Sequence, residues 1–341
     1  MSLLPSTSCV FSTAFIFQVE CGHLHLLQPG TNFLALRAIT RKPLKYFLDK
    51  RLEMFTTYTN SSGSENQCVE QKKPKQKKRP YLSRDMGRLF NLARSEGGAE
   101  KRMEVYMVAV YLLRILQHMS YFGPKADTGS LTEEEVYIGM LVAHFVTVAE
   151  RNSQNISQVS REHLNLTSLT EILKKDFKPA EVGYGIHPTL ALINHSCDPN
   201  TIKIQQGGRT VLLAARRLED GEEITDNYGA LFYSMPPLVR CKELEFECQC
   251  EACSNDWPLL HLLSSSLDPT TNGALEKGRV ANALMLRCTS QLSAKHYGKV
   301  ATLSGEYSTA LAKLTTRPHR FHFNCYMMAF YCTWARWGNK E

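Results

Sequence analysis

Two short stretches of this 341-residue chain hold side chains whose types and spacing could do chemistry. The first is Asn194-His195-Ser196-Cys197-Asp198-Pro199-Asn200, directly after an apolar run from Leu190 to Ile193. Polar groups, a thiol and a proline packed this densely beside a buried run are seldom left unused. The second is Cys248-Gln249-Cys250-Glu251-Ala252-Cys253. A C-x-C-x-x-C spacing can bring three thiolates round one metal ion, and zinc in a closed structural site prefers four tetrahedral ligands. The fourth must come from elsewhere in the chain. Cys197 is the strongest candidate. Cys241 lies nearer in sequence, but its charged flanks, Arg240, Lys242 and Glu243, count against it. The competing reading is a group of buried free thiols, because cysteine is often buried.

The elements around these stretches set their positions. Thr201-Ile202-Lys203-Ile204-Gln205 alternates like a strand, Gly207-Gly208 supplies a turn, and Arg209 to Ala214 runs back, which predicts a hairpin. Gly221 to Thr225 predicts a turn into another short strand. Upstream, Met103, Tyr106, Met107, Val110, Leu113, Ile115 and Met119 predict a buried helix over 99–120. Thr132 with Glu135 reads as a capping box opening a second helix, with Val136, Met140, Leu141, His144, Phe145 and Val148 on its apolar face. His144 is expected to be a satisfied core histidine there, not a ligand. Leu36, Ile39, Leu44, Phe47, Leu48, Leu52 and Phe55 recur at helical spacing. Beyond Cys253 the pattern predicts helices over 274–294 and 301–315. The aromatic-rich stretch Phe321 to Trp337, with Cys325 and Cys332, should be buried or paired.

Composition bounds the class. Hydrophobic residues make up 43% of the chain, enough for a sizeable core. Forty basic residues against 33 acidic ones give a net charge of +7, which fits a local basic segment and not a general nucleic-acid coat. That segment is Lys72, Lys73, Lys75, Lys77, Lys78 and Arg79, which reads as a nuclear-import signal, an acidic-partner contact or a solvated loop. It has no interleaved aromatics, so no direct nucleic-acid contact is required of it. Eleven cysteines in a chain this long do not make a disulfide-dense secreted scaffold. Residues 9–17 are apolar but lack a preceding basic residue, unlike a signal peptide, and no membrane association is expected.

Asn194–Asn200, Gly221–Tyr228 (GEEITDNY) and Phe246–Cys253 (FECQCEAC) together resemble the SET domain and post-SET zinc loop of the SET-and-MYND protein lysine methyltransferases, in the right order. The nearest likeness is to the insect-type branch of the fourth subfamily, extending more weakly from about Glu20 to 256. The resemblance implies an α+β fold. Its parts are a MYND exit remnant and helical segment over 20–59, a basic flexible linker over 60–80 and a helical SET insert over 81–180. The core SET follows over 181–240, the post-SET zinc loop over 241–256 and a C-terminal helical region over 257–341. It implies S-adenosylmethionine and zinc as cofactors. Asn194 and His195 would hold S-adenosylmethionine, Phe246 would stack on its adenine, and Asn152, in Arg151-Asn152-Ser153-Gln154, would be a further contact. Tyr228 matches the catalytic tyrosine. Cys197, Cys248, Cys250 and Cys253 match the zinc ligands.

The chain also departs from that family's pattern. The glycine-rich first SET segment and most of the MYND module are not found. Glu20-Cys21-Gly22 resembles only the module's last cysteine and exit, so Cys21 is not expected to bind metal, and residues 1–19 read as an atypical leader. An unpaired strand edge and an impaired cofactor pocket are expected in consequence. Two functions follow. One is a lysine methyltransferase acting on histone or non-histone protein, in nucleus and cytoplasm. The other is a non-catalytic, zinc-stapled interaction module whose partners would be transcriptional co-repressors.

Overall fold

The structure is a computed structural model that describes residues 31–52, 86–95, 97–124, 129–174, 179–266 and 273–340. The basic cluster 72–79, the segment 1–19, Cys21 and Phe55 lie outside those residues. The fold is α+β: among the described residues helices dominate, and three two-stranded sheets supply the β part. The chain divides into two compact units, residues 1–155 with 184–191, and residues 156–183 with 192–341.

The first unit is helical. It holds α1 (Asn32–Thr40), α2 (Leu44–Asp49), α3 (Met86–Phe90), α4 (Ala99–His118) and α5 (Glu133–Asn152). The periodic run from Leu36 is two helices because Pro43, extended at ψ 156°, cannot continue α1 and instead caps α2. Leu36, Ile39 and Phe47 are fully buried, while Leu52 is exposed. α5 opens as expected: the Thr132 hydroxyl accepts from the Glu135 N–H, and the Glu135 carboxylate accepts from the Thr132 N–H at 2.8 Å.

The expected face of α4 needs correction. Met103, Tyr106, Met107 and Val110 are exposed; the buried stripe is Val105, Ala109, Leu112 and Leu116, with Leu113 and Ile115 beside it. The helix is apolar around most of its circumference, so periodicity alone does not choose a face. Packing on α5 and α1 chooses the branched Val and Leu row. Val136 and Met140 of α5 are likewise exposed, whereas Leu141, His144, Phe145 and Val148 are buried. His144 is the core histidine anticipated. Its Nε2 donates to the Phe90 carbonyl at 2.9 Å and its ring stacks on Phe90 at 4.2 Å.

The second unit carries most of the short strands and a helical layer. β1 (Ser153–Gln158) pairs with β2 (Ala180–Ile186), strands that each run across a division of the chain between the units, and α6 (Leu169–Lys174) lies between them in sequence. β3 (Asn194–His195) pairs in parallel with β6 (Thr225–Asp226). β4 (Thr201–Gln206) and β5 (Arg209–Ala214) form the expected antiparallel hairpin, in which Gly207 supplies a φ of +57° at the turn. α7 (Pro237–Leu244) and the short α8 (Glu251–Ser254) flank the cysteine loop. α9 (Ala274–Ser293), α10 (Tyr297–Leu311) and α11 (Arg320–Trp337) pack in succession. α10 starts four residues earlier than expected and ends earlier too, closing in turns at 312–314. The aromatic stretch of α11 is largely buried. Cys325 and Cys332 are buried free thiols, and the Cys325 thiol donates to the Ser304 carbonyl. No helix among the described residues is long and apolar enough to cross a membrane.

Candidate metal centre and aromatic site

The cysteine loop is delivered by α7. Pro237 sits in the helix's first turn, where a missing N–H costs nothing. The helix stops at Glu245, whose left-handed φ of 58° reverses the chain into Phe246 and the cysteines. Cys250 then caps α8, and Cys253 falls within its single turn.

Cys197 joins this loop from fifty residues upstream in sequence. The four sulfurs of Cys197, Cys248, Cys250 and Cys253 all lie within 4.8 Å of one another. Cys197 Sγ is 3.6 Å from Cys253 Sγ and 4.0 Å from Cys248 Sγ. A tetrahedron with zinc–sulfur bonds of about 2.3 Å has sulfur–sulfur edges of about 3.8 Å, so the set fits zinc. Cys241 is not part of the cluster. Backbone amides already face the sulfurs: Cys197 N–H donates to Cys250 Sγ at 3.4 Å and Cys250 N–H to Cys248 Sγ at 3.5 Å. Without a cation, four adjacent thiols cannot all ionise. The hydrogen bond between Cys197 and Cys250 pushes the Cys197 thiol far up and holds the Cys250 thiol well down, at about 3. Burial pushes Cys248 up to about 12. A divalent ion removes that conflict by favouring every thiolate.

The polar stretch is stitched to the 222–228 segment. Asn200 accepts from the Thr225 N–H at 2.9 Å and donates to the Glu223 carbonyl at 2.8 Å. Asn227 donates to the Ser196 and Ala230 carbonyls, and Ser196 N–H donates to the Asp226 carbonyl. Lys203 Nζ lies 2.6 Å from the Asp226 carboxylate. On this base His195 makes two contacts of opposite sense. Its Nδ1 accepts from the Tyr228 N–H at 3.1 Å, which leaves the ring proton on Nε2, directed at Cys197 Sγ at 3.3 Å. Burial holds the His195 pKa below its ordinary value, so the neutral ring is favoured.

Three of the remaining sequence-chosen residues surround His195. The Tyr228 ring is 5.2 Å from it, and the Tyr228 hydroxyl donates to the Ile193 carbonyl at 2.6 Å. Phe246 meets the imidazole edge-on at 6.1 Å. Asn194 is exposed, with its amide on the Glu223 carboxylate at 2.6 Å. Asn152 belongs to the first unit. It is buried at the end of α5, and its amide donates to the Ala93 and Val148 carbonyls. A cleft of about 480 Å³ in the first unit, lined by Phe90, Val105, Tyr106, Met140 and His144 among others, contains none of the motif residues.

Sequence reasoning missed Asn200 and Asn227 as stitching residues, although both stand inside the quoted motifs. It also missed Arg240, noticed only as a charged flank of Cys241. Arg240 is fully buried, and its Nη2 donates to Cys253 Sγ at 3.3 Å.

Residues 65–229 match the SET domain, and the four-cysteine cluster joins Cys197 inside that region to three cysteines beyond it. The chain is 30% identical over 147 residues to histone-lysine N-methyltransferase SMYD3 of Mus musculus, covering 39% of this chain and 33% of that protein. It is 29% identical over 133 residues to protein-lysine N-methyltransferase SMYD4 of the same species, covering 38% and 16%. It is 25% identical over 245 residues to histone-lysine N-methyltransferase ASHR1 of Arabidopsis thaliana, covering 62% and 48%. These matches support a likeness to the SET and MYND domain lysine methyltransferases, and the chain spans a third or less of the length of the SMYD3 and SMYD4 proteins it matches.

Proposed function

We propose that this chain is a SET-type protein-lysine N-methyltransferase that uses S-adenosylmethionine and binds one zinc ion through Cys197, Cys248, Cys250 and Cys253. The observation that carries this reading is the placement of Tyr228. Its hydroxyl is pinned on the Ile193 carbonyl, and its backbone is held by an imidazole that reaches a cluster sulfur. S-adenosylmethionine, when bound, supplies a methyl group on a sulfonium. The residues suited to hold it are Asn194, His195 and Phe246: the His195 and Phe246 rings are 6.1 Å apart, and Asn194 adjoins His195 in β3. Asn152, in the first unit, is not placed in this site; its amide is committed to the Ala93 and Val148 carbonyls.

The work left to the chain is alignment. A substrate lysine has a pKa of about 10.4 in water and must arrive neutral. A partly desolvated channel favours the neutral amine. The Tyr228 phenol spends its proton on Ile193, so its oxygen remains an acceptor for an amine N–H. Orientation of this kind is worth up to about 7–11 kcal/mol. The substrate is a lysine on a histone or another protein, and the site of action is nucleus and cytoplasm. The test is transfer of labelled methyl to histone and non-histone proteins. Signal from the parent chain with none from Tyr228→Phe supports the enzyme; equal background from both removes it.

A second reading keeps the metal centre and drops the catalysis: a zinc-stapled module that binds partner proteins, co-repressors among them. It draws support from the ion pair between Arg317, just before α11, and Asp198 in the cysteine-bearing stretch, which ties that stretch to the helical layer within the second unit.

A further inference from the structure

We infer that Arg240 is the charge-compensating residue of the zinc cluster, a positioning group without which the four thiolates hold the metal poorly. The inference rests on the zinc reading above and adds a residue to it.

Arg240 has no exposed surface. A buried guanidinium is costly unless an anion stands beside it. No carboxylate among the described residues is within ion-pair distance of it. Its Nη1 donates to the Met235 carbonyl at 2.7 Å and the Phe232 carbonyl at 3.3 Å, both neutral acceptors. Its Nε has no hydrogen-bond partner among the described residues. The remaining contact, Nη2 to Cys253 Sγ at 3.3 Å, is the one that can carry charge. The cluster has the complementary problem. Zinc with four thiolates leaves two negative charges in a site whose Cys197 and Cys248 are buried. One fixed cation on a ligand sulfur offsets one of them, and the two carbonyl bonds hold the guanidinium in that position. Partners just outside the ligand shell commonly govern metal affinity in this way.

The test uses the full chain refolded in buffers of fixed free zinc, with folding followed by circular dichroism and bound zinc by a chromogenic chelator. Arg240→Lys keeps the charge and loses the fork. Arg240→Gln keeps hydrogen bonding and loses the charge. The expected result is a half-saturation point for Gln shifted about 10–100-fold to higher free zinc, with Lys close to the parent. Gln binding within twofold of the parent, or more tightly than Lys, overturns the inference. Failure of both variants to fold at every zinc concentration also overturns it, because the arginine would then serve only to hold the turn at 232–235. A parent chain that binds no zinc refutes the metal reading itself, which is a different result.

Discussion

The backbone N–H of Tyr228 donates to Nδ1 of His195 at 3.1 Å, and this contact decides what the other ring nitrogen can do. With Nδ1 accepting, Nε2 carries the proton and meets Cys197 Sγ at 3.3 Å. One imidazole therefore couples the position of the phenol to the sulfur cluster. His195→Ala should weaken zinc binding about 10–100-fold, as loss of a partner outside the ligand shell commonly does. It should also abolish methyl transfer. Chelator competition and a labelled-methyl assay on the same preparation check both.

Tyr228→Phe removes one hydroxyl from a half-exposed ring and leaves the His195 contact intact, since that contact uses the main chain. Methyl transfer should fall about 100–1,000-fold, the usual cost of removing one well-placed polar group from a reacting centre. The thermal midpoint and zinc content should stay with the parent. A similar loss in all three readouts would assign the hydroxyl to structure.

Zinc content separates the two candidates for the fourth ligand. The parent should contain one zinc per chain, and Cys197→Ser should lose it, because its sulfur lies within the cluster. Cys241→Ser should keep it. Chelation of the parent should destabilise the second unit in particular, because metal binding and folding share one free energy. Elemental analysis and proteolysis with and without chelator read these outcomes.

Acid should destabilise the chain before its carboxylates titrate. Burial holds the pKa of His144 down to about 4, and likewise that of His322. A histidine with a folded pKa below its unfolded value of about 6.5 gives stability that is complete above 6.5. That stability is lost as pH falls towards 4. His144 contributes on the order of 3 kcal/mol over that window. His144→Gln, which can still donate to the Phe90 carbonyl, should flatten the pH dependence of the first unit. Urea midpoints at pH 7 and pH 5 make the comparison.

Glu245 ends α7 in a left-handed conformation that a side chain disfavours by roughly 1 kcal/mol. Glu245→Gly should therefore stabilise the fold by up to about 1 kcal/mol and leave zinc content unchanged. Denaturant unfolding of the zinc-loaded chain measures it.

How far the sequence could be read follows from the physics of each signal. The capping box at Thr132, the Gly207-Gly208 hairpin and the cysteine spacing are local rules, and each appears where expected. The face of α4 is not a local property. Met103, Tyr106, Met107 and Val110 form as regular a stripe as Val105, Ala109, Leu112 and Leu116, and only the neighbouring helices distinguish them. Arg240 shows the same limit in the site. Its charge was legible, but in sequence it spoke against Cys241, and only the fold brings it against the Cys253 sulfur. The union of Cys197 with the later loop was readable because zinc's demand for four ligands leaves a vacancy that spacing alone exposes.

The counter-charge of Asp198 is Arg317, and 119 residues separate them along the chain. During synthesis all four sulfurs leave the ribosome well before that arginine does. For that interval the Asp198 carboxylate is left to solvent, so the ion pair that ties the cysteine-bearing stretch to α11's approach can form only late in folding.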